Sequence, residues 1–113
     1  FTVVLTDNRG YGCINRLQVA TGGAPFNNLL RDSYHVNEAN LDFVAHARAM
    51  GANAVKVASI PDLEAELRRA KSATLPTVIV IDTDPMPGTG AGGTWWDVAV
   101  PEVSDRRQVN EAR

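Results

Sequence analysis

Five consecutive residues, Thr77-Val78-Ile79-Val80-Ile81, constrain the fold of this chain more than any others. β-Branched side chains favour an extended backbone. An apolar run without polar residues at alternate positions has no face to offer water, so it suits a parallel sheet covered by helices on both sides. Two further runs, Thr2 to Thr6 and Ala54 to Ala58, have the same buried character. Between them lie segments with helical spacing. Asn40 stands as N-cap before a stripe of Phe43, Val44, Ala47 and Met50 that stops at Gly51, with His46 on the outer side near Asp42. Ser59-Ile60-Pro61-Asp62 has the form of a capping box, opening a helix with Leu63, Leu67 and Ala70 inward and Glu64 and Arg68 outward as an i,i+4 pair. Strand alternating with helix implies right-handed crossovers and an α/β fold of three layers around a parallel sheet.

The chain is 113 residues long and 44% hydrophobic, enough for one domain, 1–113, with its own core. Its 11 basic and 13 acidic residues give a net charge of -2 without long runs, which argues against nucleic acid or an anionic membrane as partner. No apolar run approaches the length of a membrane span. The single cysteine, Cys13, has no internal partner and fits a reducing, cytoplasmic setting. Phe1 already opens a buried-type strand and Val109 to Arg113 stops in a helical pattern, so the chain is expected to be a piece of a longer polypeptide.

After Thr6 the sequence runs Asp7-Asn8-Arg9-Gly10-Tyr11-Gly12-Cys13-Ile14-Asn15-Arg16-Leu17-Gln18. This reads as strand, tight loop and short helix. Ligands of open α/β sheets sit at the carboxyl ends of the strands. Asn8 would stand there with an amide oxygen, and Gly10 would let the backbone bring its carbonyl close to an ion. Both are hard oxygen donors, suited to Mg²⁺ or Ca²⁺ rather than zinc. The following helix would aim its N-terminal N–H groups at an anion such as a phosphate. An ordinary turn explains Asn-Arg-Gly equally well. Cys13 and Leu17 share a helical face with Ile14 beside them, which fits either core packing or a ligand contact. Neither His35 nor His46 lies near Cys13 in sequence, so a nucleophilic thiol is disfavoured.

The turn resembles the second cofactor-binding signature of the thiamine diphosphate enzymes, Asn-Asn-x-Gly-Tyr after an apolar strand. The resemblance implies that Asn8 by its side chain and Gly10 by its carbonyl hold Mg²⁺, which bridges the diphosphate. It also implies that Asn8, Gly10, Tyr11, Gly12, Cys13 and Ile14 bind the cofactor, the Cys13 and Ile14 face lying toward its reacting end. Asp7 replaces the first Asn of the signature. The family's Gly-Asp-Gly half-motif, which supplies a metal-binding Asp, belongs upstream of these residues. The fold implied is the C-terminal part of a thiamine diphosphate-binding domain. Leu41 to Ala52 and Leu75 to Ile81 are similar to acetolactate-synthase-like members. Gly93 to Ser104, Gly12 to Gln18 and Phe26 to Asp32 are similar to a branch that hydrolyses a carbon–carbon bond of a cyclic 1,2-diketone in inositol catabolism. That likeness implies a small-molecule substrate and a dimeric or tetrameric parent enzyme. An activating glutamate from another domain is implied as well, so that the fragment alone is inert. An acetolactate-synthase-like lyase or decarboxylase is the alternative within the family, and a non-catalytic flavodoxin-like phosphate-binding module the alternative outside it.

The rest of the chain is read more plainly. Thr21 to Asn40 is an irregular stretch containing His35. Asp82 and Asp84 follow the third strand, where acidic residues cap turns more often than they pair on a metal. Gly88 to Gly93 lacks the strand and helix context of a phosphate loop. Trp95 and Trp96 are expected to anchor the segment after it, and Ser104 to cap a final helix from Asp105.

Overall fold

The computed structural model describes residues 1–34, 40–87 and 99–112. In chain order its elements are β1 (Thr2–Asp7), α1 (Gly12–Ala20), a 3-10 turn at Leu30–Asp32, α2 (Phe43–Ala49), β2 (Asn53–Val57), α3 (Ile60–Ala70), β3 (Thr77–Asp82) and α4 (Arg107–Glu111). They fall into two compact units, one of Phe1–Asn8 with Ala39–Thr83 and one of Arg9–Glu38 with Asp84–Arg113.

The first unit holds the sheet, in the order β1-β3-β2 with both pairings parallel. The parallel α/β arrangement expected from the three apolar runs is present. β3 lies centrally because its side chains need cover on both faces, and Ile79 and Val80 are the most deeply buried apolar residues of the unit. Val57, Ile79 and Ile81 form the core cluster, with Val55 and Leu63 packed against it.

β1 departs from expectation. Its apolar run predicted burial on both faces, yet Val3 and Val4 are 41% and 40% exposed. Among the described residues it is an edge strand paired only with β3, while α2 packs on β2 and β3 and α3 packs on β3.

Helix starts sharpen the sequence reading. α3 opens as predicted, with Ser59 Oγ accepting the Asp62 N–H at 3.2 Å and donating to the Asp62 carboxylate at 2.6 Å. α2 is capped by Asp42 and not by Asn40: Asp42 Oδ1 accepts the Ala45 N–H at 2.9 Å. A carboxylate three residues before an unpaired N–H meets both the hydrogen-bonding and the dipole demand there. The helix starts two residues later than its apolar pattern suggested, and Met50, expected inward, is exposed as the C-cap. Gly51 takes φ +86° beyond it, the left-handed stop expected of glycine.

The second unit contains two close approaches of backbone to backbone, at Gly10 and Gly22. α1 ends where Gly22, at φ +79°, turns the chain. A Cβ on Gly22 would lie 2.6 Å from Val109 N and closer still to the Gln108 carbonyl, so only glycine fits. Arg106 Nε donates to Gly22 O at 2.7 Å across the same contact. Ser104 does not cap α4. Its hydroxyl accepts the Arg106 N–H at 3.1 Å, a turn one step before the helix, and the helix begins at Arg107. His35, the glycine run 88–93, Trp95 and Trp96 lie outside the described residues.

Candidate functional site

The candidate site is built from where β1 ends. The Thr83 N–H donates to Asp7 O at 2.8 Å, extending the β1–β3 ladder by one bond, and Asn8 follows at the carboxyl end of the strand, the position expected of it. Asp82 opposite Asp7 is ion-paired to Lys56 on β2 at 2.8 Å.

The next residues leave regular geometry. Arg9 has φ +58°, a conformation costing roughly 1–2 kcal/mol for a residue with a Cβ. Strain of this kind persists only where surrounding contacts impose it. Here they are a short antiparallel bridge: the Leu30 N–H donates to Arg9 O at 2.9 Å and the Tyr11 N–H to Asn28 O at 2.6 Å, with Gly10 opposite Leu29. Leu29 is buried and ties the loop down. A Cβ on Gly10 would stand 2.7 Å from Leu29 Cα and nearer to Asn28 O, so the position admits no side chain. Glycine is required by close backbone approach, a stronger reason than the turn alone.

α1 then starts at Gly12 with Tyr11 as N-cap, and no side chain caps it. Its first turn has no acidic residue. Its orphan N–H groups and positive dipole end therefore suit an external anion. Tyr11 is 72% exposed, Cys13 is exposed and Ile14 is 52% exposed, while Gly12 is buried. Cys13 and Ile14 thus lie at the surface of the described residues, and Leu17 is only partly covered.

Besides Gly12, the buried residue of α1 is Asn15, at 1% exposure, and the apolar pattern gave no sign of it. Its carboxamide oxygen has no hydrogen-bond partner among the described residues. Leu29 was also missed, because it sits in an irregular stretch where periodicity says nothing. The doubled Leu29-Leu30 after Asn27-Asn28 was the available signal, Asn27 adopting the left-handed conformation at φ +53°.

These residues fit a metal-bridged diphosphate by the chemistry of their donors. An amide oxygen at Asn8 and a main-chain carbonyl at Gly10 are neutral, hard ligands suited to Mg²⁺. The glycine's lack of a side chain brings backbone to the surface of the loop, and the uncapped start of α1 suits phosphate oxygens. The carboxylates after β3 play other parts: Asp82 pairs with Lys56, and Asp84 Oδ1 accepts the Met86 N–H at 2.9 Å, capping a turn. No group of three or more His, Cys, Asp or Glu residues able to hold a metal occurs among the described residues. None of the described helices is long and apolar enough to cross a membrane.

Residues 1–81 match the family described as "Thiamine pyrophosphate enzyme, C-terminal TPP binding domain". Among curated proteins, 97% of the chain aligns with "3D-(3,5/4)-trihydroxycyclohexane-1,2-dione hydrolase" of Halalkalibacterium halodurans at 37% identity over 111 residues. A Bacillus cereus protein carrying the same name with the suffix 2 is 36% identical over 116 residues, and the Bacillus licheniformis hydrolase 34% identical over 110. The alignments cover 97% of the chain but only 17–18% of those relatives. No solved structure matches.

Proposed function

The chain belongs to the thiamine pyrophosphate enzymes, in their C-terminal cofactor-binding domain, and on that premise we propose that it anchors thiamine diphosphate through Mg²⁺ in an enzyme that hydrolyses a ring carbon–carbon bond of trihydroxycyclohexane-1,2-dione. The observation that carries the cofactor assignment is Gly10, packed against Leu29 so closely that only main chain occupies the position. In this reading Asn8 offers its side-chain oxygen and Gly10 its carbonyl to Mg²⁺. The first turn of α1 faces the diphosphate, and Tyr11, Gly12, Cys13 and Ile14 line the cofactor. When bound, the cofactor supplies a stabilised carbanion that attacks a carbonyl group. The chain's own residues fix its position and exclude water from its apolar parts.

The choice of substrate rests on the 34–37% identity to named hydrolases across 97% of the chain. Residues 1–113 would form the C-terminal part of one cofactor-binding domain, with the rest of the parent chain and a second subunit completing the enzyme. The lone Cys13 accords with a cytoplasmic setting.

Asn8→Ala in the parent enzyme tests the assignment. The substitution lies outside the apolar core, so the protein stays folded and loses cofactor affinity. Activity returns in part at high Mg²⁺ and thiamine diphosphate, by mass action. Unchanged cofactor affinity and dione hydrolysis in the variant would overturn the metal assignment. Consumption of pyruvate with no action on the dione would favour the acetolactate-synthase-like alternative.

A further inference from the structure

The bridge that holds the Gly10 loop has to be held in turn. Its far side is the segment 28–30, where Asn28 O accepts the Tyr11 N–H at 2.6 Å and the Leu30 N–H donates to Arg9 O at 2.9 Å. Leu29, at 2% exposure, sinks this segment into the second unit. Apolar burial is non-directional, so Leu29 fixes the depth of the segment and leaves its path along α1 open. Hydrogen bonds carry direction.

The directional contact is a pair of side-chain amides. Asn28 Nδ2 donates to Gln18 Oε1 at 2.7 Å, in a part-buried setting ten residues away in the chain. The other end of the same carboxamide, Gln18 Nε2, donates to Ala24 O. Gln18 of α1 thus accepts and donates at once, which neither a carboxylate nor a hydrocarbon of that length can do. Gly23 leaves room for it: a Cβ there would stand 2.8 Å from both Gln18 Cγ and Gln18 O. Asn28 therefore carries both halves of the connection, its carbonyl on the loop and its carboxamide on the helix.

Arg9, at φ +58°, makes this connection consequential. A left-handed residue with a Cβ relaxes toward other conformations when its surroundings loosen, and the Gly10 carbonyl next to it would turn as well. Mg²⁺ demands near-ideal octahedral geometry at about 2.0–2.1 Å, whereas Ca²⁺ accepts irregular shells of oxygens at about 2.3–2.6 Å. A carbonyl held in one direction suits Mg²⁺, and one able to swing costs Ca²⁺ little. We propose that Gln18 and Asn28 are positioning residues that fix the Gly10 carbonyl through the Asn28–Tyr11 and Leu30–Arg9 bonds. The amide pair thereby sets the discrimination between Mg²⁺ and Ca²⁺ at the cofactor site, a role that rests on the assignment of Gly10 as a metal ligand given above.

The test strips the parent enzyme of metal and cofactor and titrates it with Mg²⁺ or Ca²⁺ at fixed thiamine diphosphate, read by calorimetry. Gln18→Leu removes both side-chain hydrogen bonds at nearly constant volume, and Asn28→Ala removes one. Each should lower Mg²⁺ affinity about tenfold, the scale of one net hydrogen bond. Ca²⁺ affinity should fall by less than about threefold. The double variant should stay within about twofold of the weaker single one, because both break one connection. Gln18→Glu keeps the acceptor for Asn28 Nδ2 and should restore most of the discrimination. Gly51→Ala strains only the first unit and should leave the ratio of the two affinities in place, which separates positioning from lost stability. Unchanged Mg²⁺ affinity, equal losses for the two ions, or additive losses in the double variant would overturn the proposal. If Asn8→Ala leaves metal affinity unchanged, the metal assignment fails by itself. Hydrogen exchange at the Tyr11 and Leu30 N–H groups then decides: faster exchange in Gln18→Leu keeps the amide pair as the support of the loop, and unchanged exchange removes it.

Discussion

In the first unit, Val57, Ile79 and Ile81 meet in an apolar cluster with Leu63 against it, and the backbone follows from where those side chains must go. In the second unit the buried residues include Leu29, Val109 and the polar Asn15, and the repeated feature is main chain laid against main chain. Gly10 lies on Asn28 and Leu29, and Gly22 lies on Gln108 and Val109. The first arrangement stores its stability in side-chain volume. The second stores it in the absence of side-chain volume at two points. A site that offers carbonyl oxygens and N–H groups as ligands is suited to the second kind of construction, because those groups belong to every residue and must be placed by the path of the chain.

The largest expected effect lies in the apolar unit. Ile79 is fully buried in the central strand, so Ile79→Ala should destabilise the intact protein by about 2–5 kcal/mol. Urea denaturation measures it, and a loss under about 1 kcal/mol would mean that the cluster does not hold this unit together.

The two glycine substitutions that separate steric closure from conformation come next. Gly22 and Gly51 both have positive φ, at +79° and +86°, but a Cβ on Gly51 meets nothing within 4 Å. Gly51→Ala should therefore cost only the left-handed penalty of roughly 1–2 kcal/mol. Gly22→Ala adds a collision with the Gln108 backbone and should cost more, with faster hydrogen exchange at Val109 and Asn110. Equal costs would show that backbone contact contributes little to the second unit.

A smaller effect is expected at Asn15, where the second unit buries a polar group with no partner for its oxygen among the described residues. Leaving such an acceptor unmade costs roughly 1–3 kcal/mol, and an apolar group of similar shape escapes that cost. Asn15→Leu should leave stability within about 1 kcal/mol of wild type or raise it. A clear loss on thermal melting would show that the carboxamide is satisfied in the intact enzyme and serves the second unit as a structural contact.

The same contrast explains what was legible in the sequence. The three strands could be read within a residue or so at each end, because β-branched runs and the capping box at Ser59 act locally. That β1 would be an edge strand was not legible, since its composition resembles that of the buried β3 and the difference lies in which neighbours reach it. The positions of Asn8 and Gly10 at the end of a strand could be read from the turn. Why Gly10 must be glycine could not, because Leu29 reaches it from nineteen positions away in the chain. Asp42 displaced Asn40 as the cap for a similar reason: both are good caps, and only the backbone path decides between them.

The smallest effect sits on the solvent face of α3, and it bears on whether surface charge has any share in the first unit's stability. Glu64 and Arg68 are the i,i+4 pair expected from the sequence, at 3.7 Å, and both side chains are more than half exposed. Water screens such a pair, and holding two long side chains in one geometry costs entropy. Exposed helical pairs contribute about 0.3–0.5 kcal/mol, and salt weakens them further. Glu64→Gln keeps the length and helix preference of the side chain while removing the charge, so the loss measured by urea denaturation should be within that range at low ionic strength. It should vanish at high salt. A loss that persists in high salt would assign the effect to packing of the Glu64 stem, and the apolar cluster beneath α3 would then extend to the helix surface.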